Sequence, residues 1–201
     1  MVKTVLLWTL SVFLFVTTAW AQSPGNIDAS IYKPGDYWKF KITTIAERAD
    51  APSPRSDAPE GVITIKYSGN AFTIEGYNYP FDLLSKYVPT ILRGGSDMQW
   101  LQFPLTVGKK WTYQYVGGQS EAKYSGIWKV DVSAVSEETV NVTAGTFPSV
   151  KISGVAAWTT RGFRRTSTYY YSPVTKSVIS GQATSIYNTV HTIELVEYGN
   201  Q

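Results

Sequence analysis

Tyr124-Ser125-Gly126-Ile127-Trp128-Lys129-Val130-Asp131-Val132-Ser133-Ala134-Val135 decides the fold class. Trp128, Val130, Val132 and Ala134 share one parity, and Lys129, Asp131 and Ser133 share the other. An apolar set that recurs every second residue lines one face of a half-buried strand; a helix would need it every three or four. Tyr37 to Ile45 repeats the pattern, with Trp38, Phe40 and Ile42 set against Lys39, Lys41 and Thr43. Lys33-Pro34-Gly35-Asp36 before it is a turn, in which Pro presets the first angle and Gly takes the positive φ that follows.

Working outward, the same reading predicts strands at Val62 to Ser68 and Ala71 to Tyr77, joined at Gly69-Asn70, and at Met98 to Phe103. Lys110 to Val116 alternates Trp111, Tyr113 and Tyr115. Glu138 to Thr143 is read as a strand after a solvated tip at Glu137-Glu138. Ala144-Gly145 is read as a turn into Phe147 to Thr159, and the phase change between Phe147 and Val150 predicts a bulge at Pro148. Arg165 to Ser172, Lys176 to Ser180 and Thr184 to Tyr198 complete the set. Short strands at even spacing argue for an all-β chain, an antiparallel barrel or sandwich. Helical spacing of Phe81, Leu84, Val88 and Ile91 leaves room for one short helix at Asp82 to Tyr87.

The start has the form of a secretory signal peptide: Lys3, an apolar run from Val5 to Val16, then Ala19-Trp20-Ala21 before Gln22. The domain plan is therefore a signal peptide at 1–21 and a single β domain at 22–201. The apolar stretch is shorter than the roughly 20 residues that span a bilayer. No transmembrane span is expected after cleavage, and the localisation expected is the bacterial periplasm or the medium. Glu47 to Gly61, with Pro52, Pro54 and Pro59 and no large apolar side chain, reads as a mobile loop at 47–61.

Composition closes off several functions. The 201 residues contain no cysteine and one histidine, His191. A disulfide framework, a thiolate metal site and a cysteine nucleophile are therefore impossible. Loss of Lys3 from 18 basic residues leaves 17 against 15 acidic ones, a balance without a nucleic-acid footprint. A lone histidine cannot build a zinc site, and a Ser-His-Asp triad would have only His191 as its base. No metal or other cofactor is expected, and the chain reads as a non-enzyme. Glu75, Glu121, Glu194 and Glu197, on or near strands, leave a carboxylate hydrolase as the remaining catalytic alternative.

Val140-Asn141-Val142-Thr143-Ala144-Gly145-Thr146-Phe147 resembles a V-x-V-P-A-G-T-F hairpin of exported bacterial β-proteins of unknown function. Phe103-Pro104-Leu105 with Val107-Gly108-Lys109-Lys110-Trp111, and Tyr169-Tyr170-Tyr171-Ser172-Pro173-Val174, agree with that resemblance. It spans roughly residues 103–201, with Thr143 where the pattern often has Pro. It implies a periplasmic or cell-surface β-structure with no known catalytic residues.

The aromatic load is the feature that points to a ligand. Trp100, Trp111, Trp128, Trp158, Tyr169 and Tyr171 fall on strand-like positions, where large rings ordinarily fill β-cores. Alternatively they line a concave surface for an amphiphile or a glycan. Arg161, Arg164 and Arg165 at a strand connection are either a solvated tip or a site for an acidic headgroup, an anionic glycan or a protein carboxylate. The function expected is binding of an amphiphile, glycan or envelope component. A structural adaptor in an envelope complex is the alternative.

Overall fold

In the computed structural model the described residues are 27, 32–46, 61–75, 99–117, 126–160, 162–184 and 189–200. The predicted signal peptide, the helix at Asp82 to Tyr87, the loop before Gly61 and Arg161 lie outside them. The described residues form nine strands: β1 Tyr37–Ala46, β2 Gly61–Tyr67, β3 Phe72–Glu75, β4 Lys110–Gly117, β5 Gly126–Val142, β6 Gly145–Trp158, β7 Arg164–Ser172, β8 Ser177–Thr184 and β9 Thr189–Gly199. All pair antiparallel in one sheet of order β3-β2-β1-β9-β8-β7-β6-β5-β4. The all-β antiparallel reading holds. The sheet ends on β3 and β4, which do not pair with each other, so it is open and not a closed barrel.

Four strand expectations change. The strand expected to end at Ser180 runs on as β8 to Thr184, and the one expected from Thr184 begins at Thr189. Glu137-Glu138 is no tip: it lies within the 17-residue β5, which runs unbroken to Val142. The turn is Thr143-Ala144, one residue earlier than expected, with Val142 paired to Gly145. Gly145 sits at φ 137°, a backbone conformation that a Cβ would strain. Met98 to Phe103 predicts a strand, but Trp100 to Phe103 is irregular, with Trp100 and Leu101 buried. Its alternation reflects burial without ladder pairing.

The expected bulge at Pro148 is absent, since Pro148 pairs in register with Thr139. The extra residue is Val135 on the partner strand, between Ala134↔Ile152 and Ser136↔Lys151. The phase change at Phe147 and Val150 has a different cause. From Val150 to Trp158, β6 buries its even positions against Trp128, Val130, Val132 and Ala134 of β5. Phe147 and Ser149 are buried on the opposite side, where Phe147 joins Val140 and Val142 in a second cluster. The bulge lets β5 keep even positions buried while its inward face switches.

Two cores result. The first holds Trp100, Leu105, Trp111, Tyr113, Tyr115, Trp128, Val130, Ile152, Trp158 and Tyr171. The second gathers Trp38, Phe40, Ile63, Ile65, Ile179 and Leu195 with the tip of the β5–β6 hairpin. That tip is bonded to β9: Ala144 N–H donates to Leu195 O at 3.2 Å, and the Thr143 N–H and hydroxyl donate to Glu194 Oε1 at 2.8 and 2.7 Å. The Pro34-Gly35 turn forms as expected, with Asp36 N–H bonded to Lys33 O at 3.0 Å and Gly35 at φ 97°.

The first core is packed to the backbone. A Cβ on Gly154 would overlap the Trp100 ring. Gly154→Val should cost about 1–3 kcal/mol through overpacking. Urea unfolding measures that loss, and a red-shifted tryptophan emission would report the displaced Trp100.

Candidate functional site

Strand parity sets one face of the sheet. In β7, Arg165, Ser167 and Tyr169 point to one side, and Thr168 and Tyr170 to the other. Arg165 pairs with Ala156, Ser167 with Ala183, and Ala183 with His191. The first side therefore runs from Tyr115 and Trp128 across Ala156, Arg165 and Ser167 to Ala183 and His191.

The rings on this side interlock. Tyr115 stacks on Trp128 at 6.5 Å with 9° between planes, and Trp128 meets Trp158 at 5.4 Å. Trp100 packs edge-on against Tyr169 at 5.2 Å. Arg165 lies over them, its guanidinium carbon 4.4 Å from the Trp128 ring centre and 5.7 Å from that of Tyr115. A desolvated cation over indole gains on the order of 1–2 kcal/mol.

Among the described residues no carboxylate pairs with Arg165, and its N–H groups meet no protein acceptor. The buried hydroxyls of Tyr113 and Tyr115 likewise have no hydrogen-bond partner there. Burial pushes the Tyr113 hydroxyl well above the usual phenol range, so it stays protonated. Burial, and then the nearby Arg165 charge, push His191 below its ordinary value. His191 is thus neutral at pH 7 and leaves Arg165 the positive centre of this face.

The sequence candidates divide accordingly. Trp100, Trp111, Trp128, Trp158 and Tyr171 are all buried, and Tyr169 is half-buried. Trp111 donates its Nε1–H to Gln99 O at 2.6 Å, and Tyr171 packs against Phe103 at 5.3 Å. Arg164 is exposed, and adjacent parity turns it to the other side from half-buried Arg165. Trp128, Trp158 and Arg165 therefore converge, with Trp100 and Tyr169 beside them.

No family model and no curated protein matches the chain. Solved structures do. The hypothetical lipoprotein YmcC from Escherichia coli is 10% identical over 84% of this chain and 87% of its own, with a TM-score of 0.45. A Bacteroides fragilis protein with a YmcC-like fold is 11% identical over 87% of this chain and 100% of its own, with a TM-score of 0.37.

Of the candidate carboxylates, Glu121 lies outside the described residues, and the other three serve local bonds. Glu75 pairs with Lys66 at 2.7 Å and Glu197 with Lys39 at 2.9 Å, on exposed surface. The Thr143 hydroxyl and N–H hold Glu194 below the usual carboxylate range. Among the described residues no group of three or more His, Asp or Glu side chains could hold a metal ion. No helix among them is long and apolar enough to cross a membrane.

Proposed function

We propose that the protein is an exported, non-catalytic binding protein for an amphiphile with an acidic head. The observation that carries this reading is Arg165, a half-buried guanidinium held over Trp128 and Tyr115 whose donors meet no protein acceptor among the described residues. Carboxylate, phosphate and sulfate heads match a guanidinium in charge and geometry, and pairing with it is strongest where water is partly excluded. Exposed Phe163, whose ring centre lies 5.9 Å from that of Trp158, offers apolar contact to the tail. Neutral His191 adds no competing charge. Export rests on the Lys3, Val5–Val16 and Ala19-Trp20-Ala21 pattern.

The test is a tryptophan-fluorescence titration with dodecanoate and with dodecanol, both below micelle formation. Dodecanoate should give a saturable change and bind more tightly than the alcohol. Mass spectrometry of the intact protein isolated from its own host should show a bound acidic amphiphile. No response to dodecanoate, or equal response to both probes, rejects the reading.

A further inference from the structure

The opposite side of β7, β8 and β9 carries a second recess. Thr168 pairs with Gln182 and Gln182 with Thr192; Tyr170 pairs with Ser180 and Ser180 with Glu194. These two cross-strand rows put six polar side chains on one floor. Asn141 and Val142 of the β5–β6 hairpin form a wall above it. The recess encloses about 430 Å³, within the range of roughly 300–1,000 Å³ seen for small-molecule sites. The wall is fixed in place by the Thr143 bonds to Glu194 and the Ala144 bond to Leu195.

We propose that this recess binds a neutral saccharide. The lining is mainly hydroxyl, carboxamide, one carboxylate and one phenol ring, with Val142 and Ile193 as its aliphatic members and no Lys or Arg. The two cations that border the recess already face carboxylates, Lys41 opposite Glu194 and Lys151 paired with Glu138 at 3.3 Å, so an anion would have to compete for them. A hydrocarbon would leave six polar groups desolvated without partners. A sugar ring satisfies both constraints, because its hydroxyls exchange hydrogen bonds with Gln182, Thr192, Ser180 and Asn141. Its C–H face packs on the Tyr170 ring. Glu194 already accepts two hydrogen bonds at Oε1, and its Oε2 accepts from a sugar hydroxyl without having to be protonated. Lys151, 5.7 Å from the Tyr170 ring centre, holds that ring from outside the lining.

The experiment is an amide NMR titration of the mature chain with glucose, galactose, mannose, N-acetylglucosamine and their disaccharides. At least one should shift Gly181, Gln182, Thr192 and Asn141 saturably. Exposed Gln182 can be truncated without touching a core, so Gln182→Ala should retain the fold and weaken that sugar about fivefold, the effect of one lost hydrogen bond. Tyr170→Phe should keep most of the affinity and Tyr170→Ala should lose it. The proposal is overturned if no sugar shifts these amides, if Gln182→Ala binds like the parent, or if choline shifts them and the sugars do not. Its failure would leave the Arg165 reading intact, since that face is probed by different ligands.

Discussion

Trp38→Ala is expected to lower the unfolding free energy by about 3–5 kcal/mol, the range for truncating a fully buried aromatic. Trp38 has no exposed surface and centres the second core, packing edge-on against Tyr32 at 5.4 Å. Its Nε1–H also donates to Thr175 O at 2.6 Å, joining β1 to the turn between β7 and β8. Two losses therefore coincide, a cavity and an orphaned carbonyl. Trp38→Phe separates them: it keeps most of the ring and should cost about 1–3 kcal/mol, chiefly for the buried carbonyl left unpaired. Urea melts of the three proteins measure both terms. A loss below 1 kcal/mol for the alanine variant would mean that this core does not hold the sheet together.

Asp36→Ala should cost about 3 kcal/mol, because removing one partner of a buried pair strands the other. Asp36 is fully buried, and its Oδ2 accepts from Lys176 Nζ at 2.9 Å and from Lys33 N–H at 3.0 Å. The Lys176 side chain is 20% exposed. That partial access to water places the cost at the low end of the buried-pair range. Lys176 itself sits at φ 58°, where a residue with a Cβ is strained. Its pairing with Asp36 and the Tyr32 hydroxyl bond to its carbonyl, at 3.1 Å, hold that conformation against β1. Lys176→Gly relieves the backbone but removes the ion pair. It should destabilise in urea melts at least as much as Asp36→Ala, since it takes the cation from a carboxylate that is fully buried, whereas Asp36→Ala strands a lysine that still reaches water.

Period-two patterning made the strands legible. Trp38, Phe40 and Ile42 on β1, and Trp128 to Ala134 on β5, are alternations that only a half-buried strand explains. The turn at Pro34-Gly35 was equally legible, because its chemistry is local. What escaped depends on distant partners. The polar pair Glu137-Glu138 looks like a tip, yet it lies just past the Val135 bulge, and Glu138 bonds Lys151 across the ladder at 3.3 Å. Nothing within the Met98 to Phe103 stretch reveals that Trp100 lies on Gly154, more than 50 residues away.

The candidate site was half legible. Arg165 shares parity with Tyr169, which places it on the aromatic side and separates it from Arg164. Its position over Trp128 follows only from the order of β5, β6 and β7 in the sheet. The rows Thr168–Gln182–Thr192 and Tyr170–Ser180–Glu194 gave no signal at all, because polar residues on alternate strand positions look like any solvated face. The hairpin that walls them is brought there by bonds to β9 some 50 residues along the chain.

The central claim, that Arg165 receives an acidic head, is tested most directly by Arg165→Gln. The substitution keeps a polar side chain of moderate length and removes the charge, and the partly exposed position tolerates it. Dodecanoate affinity should fall on the order of tenfold, the effect of one lost charge-assisted contact. Dodecanol affinity should change little, so the preference for the acid over the alcohol should disappear. An Arg165→Gln protein that binds dodecanoate as tightly as the parent, with the acid preference intact, would contradict the claim.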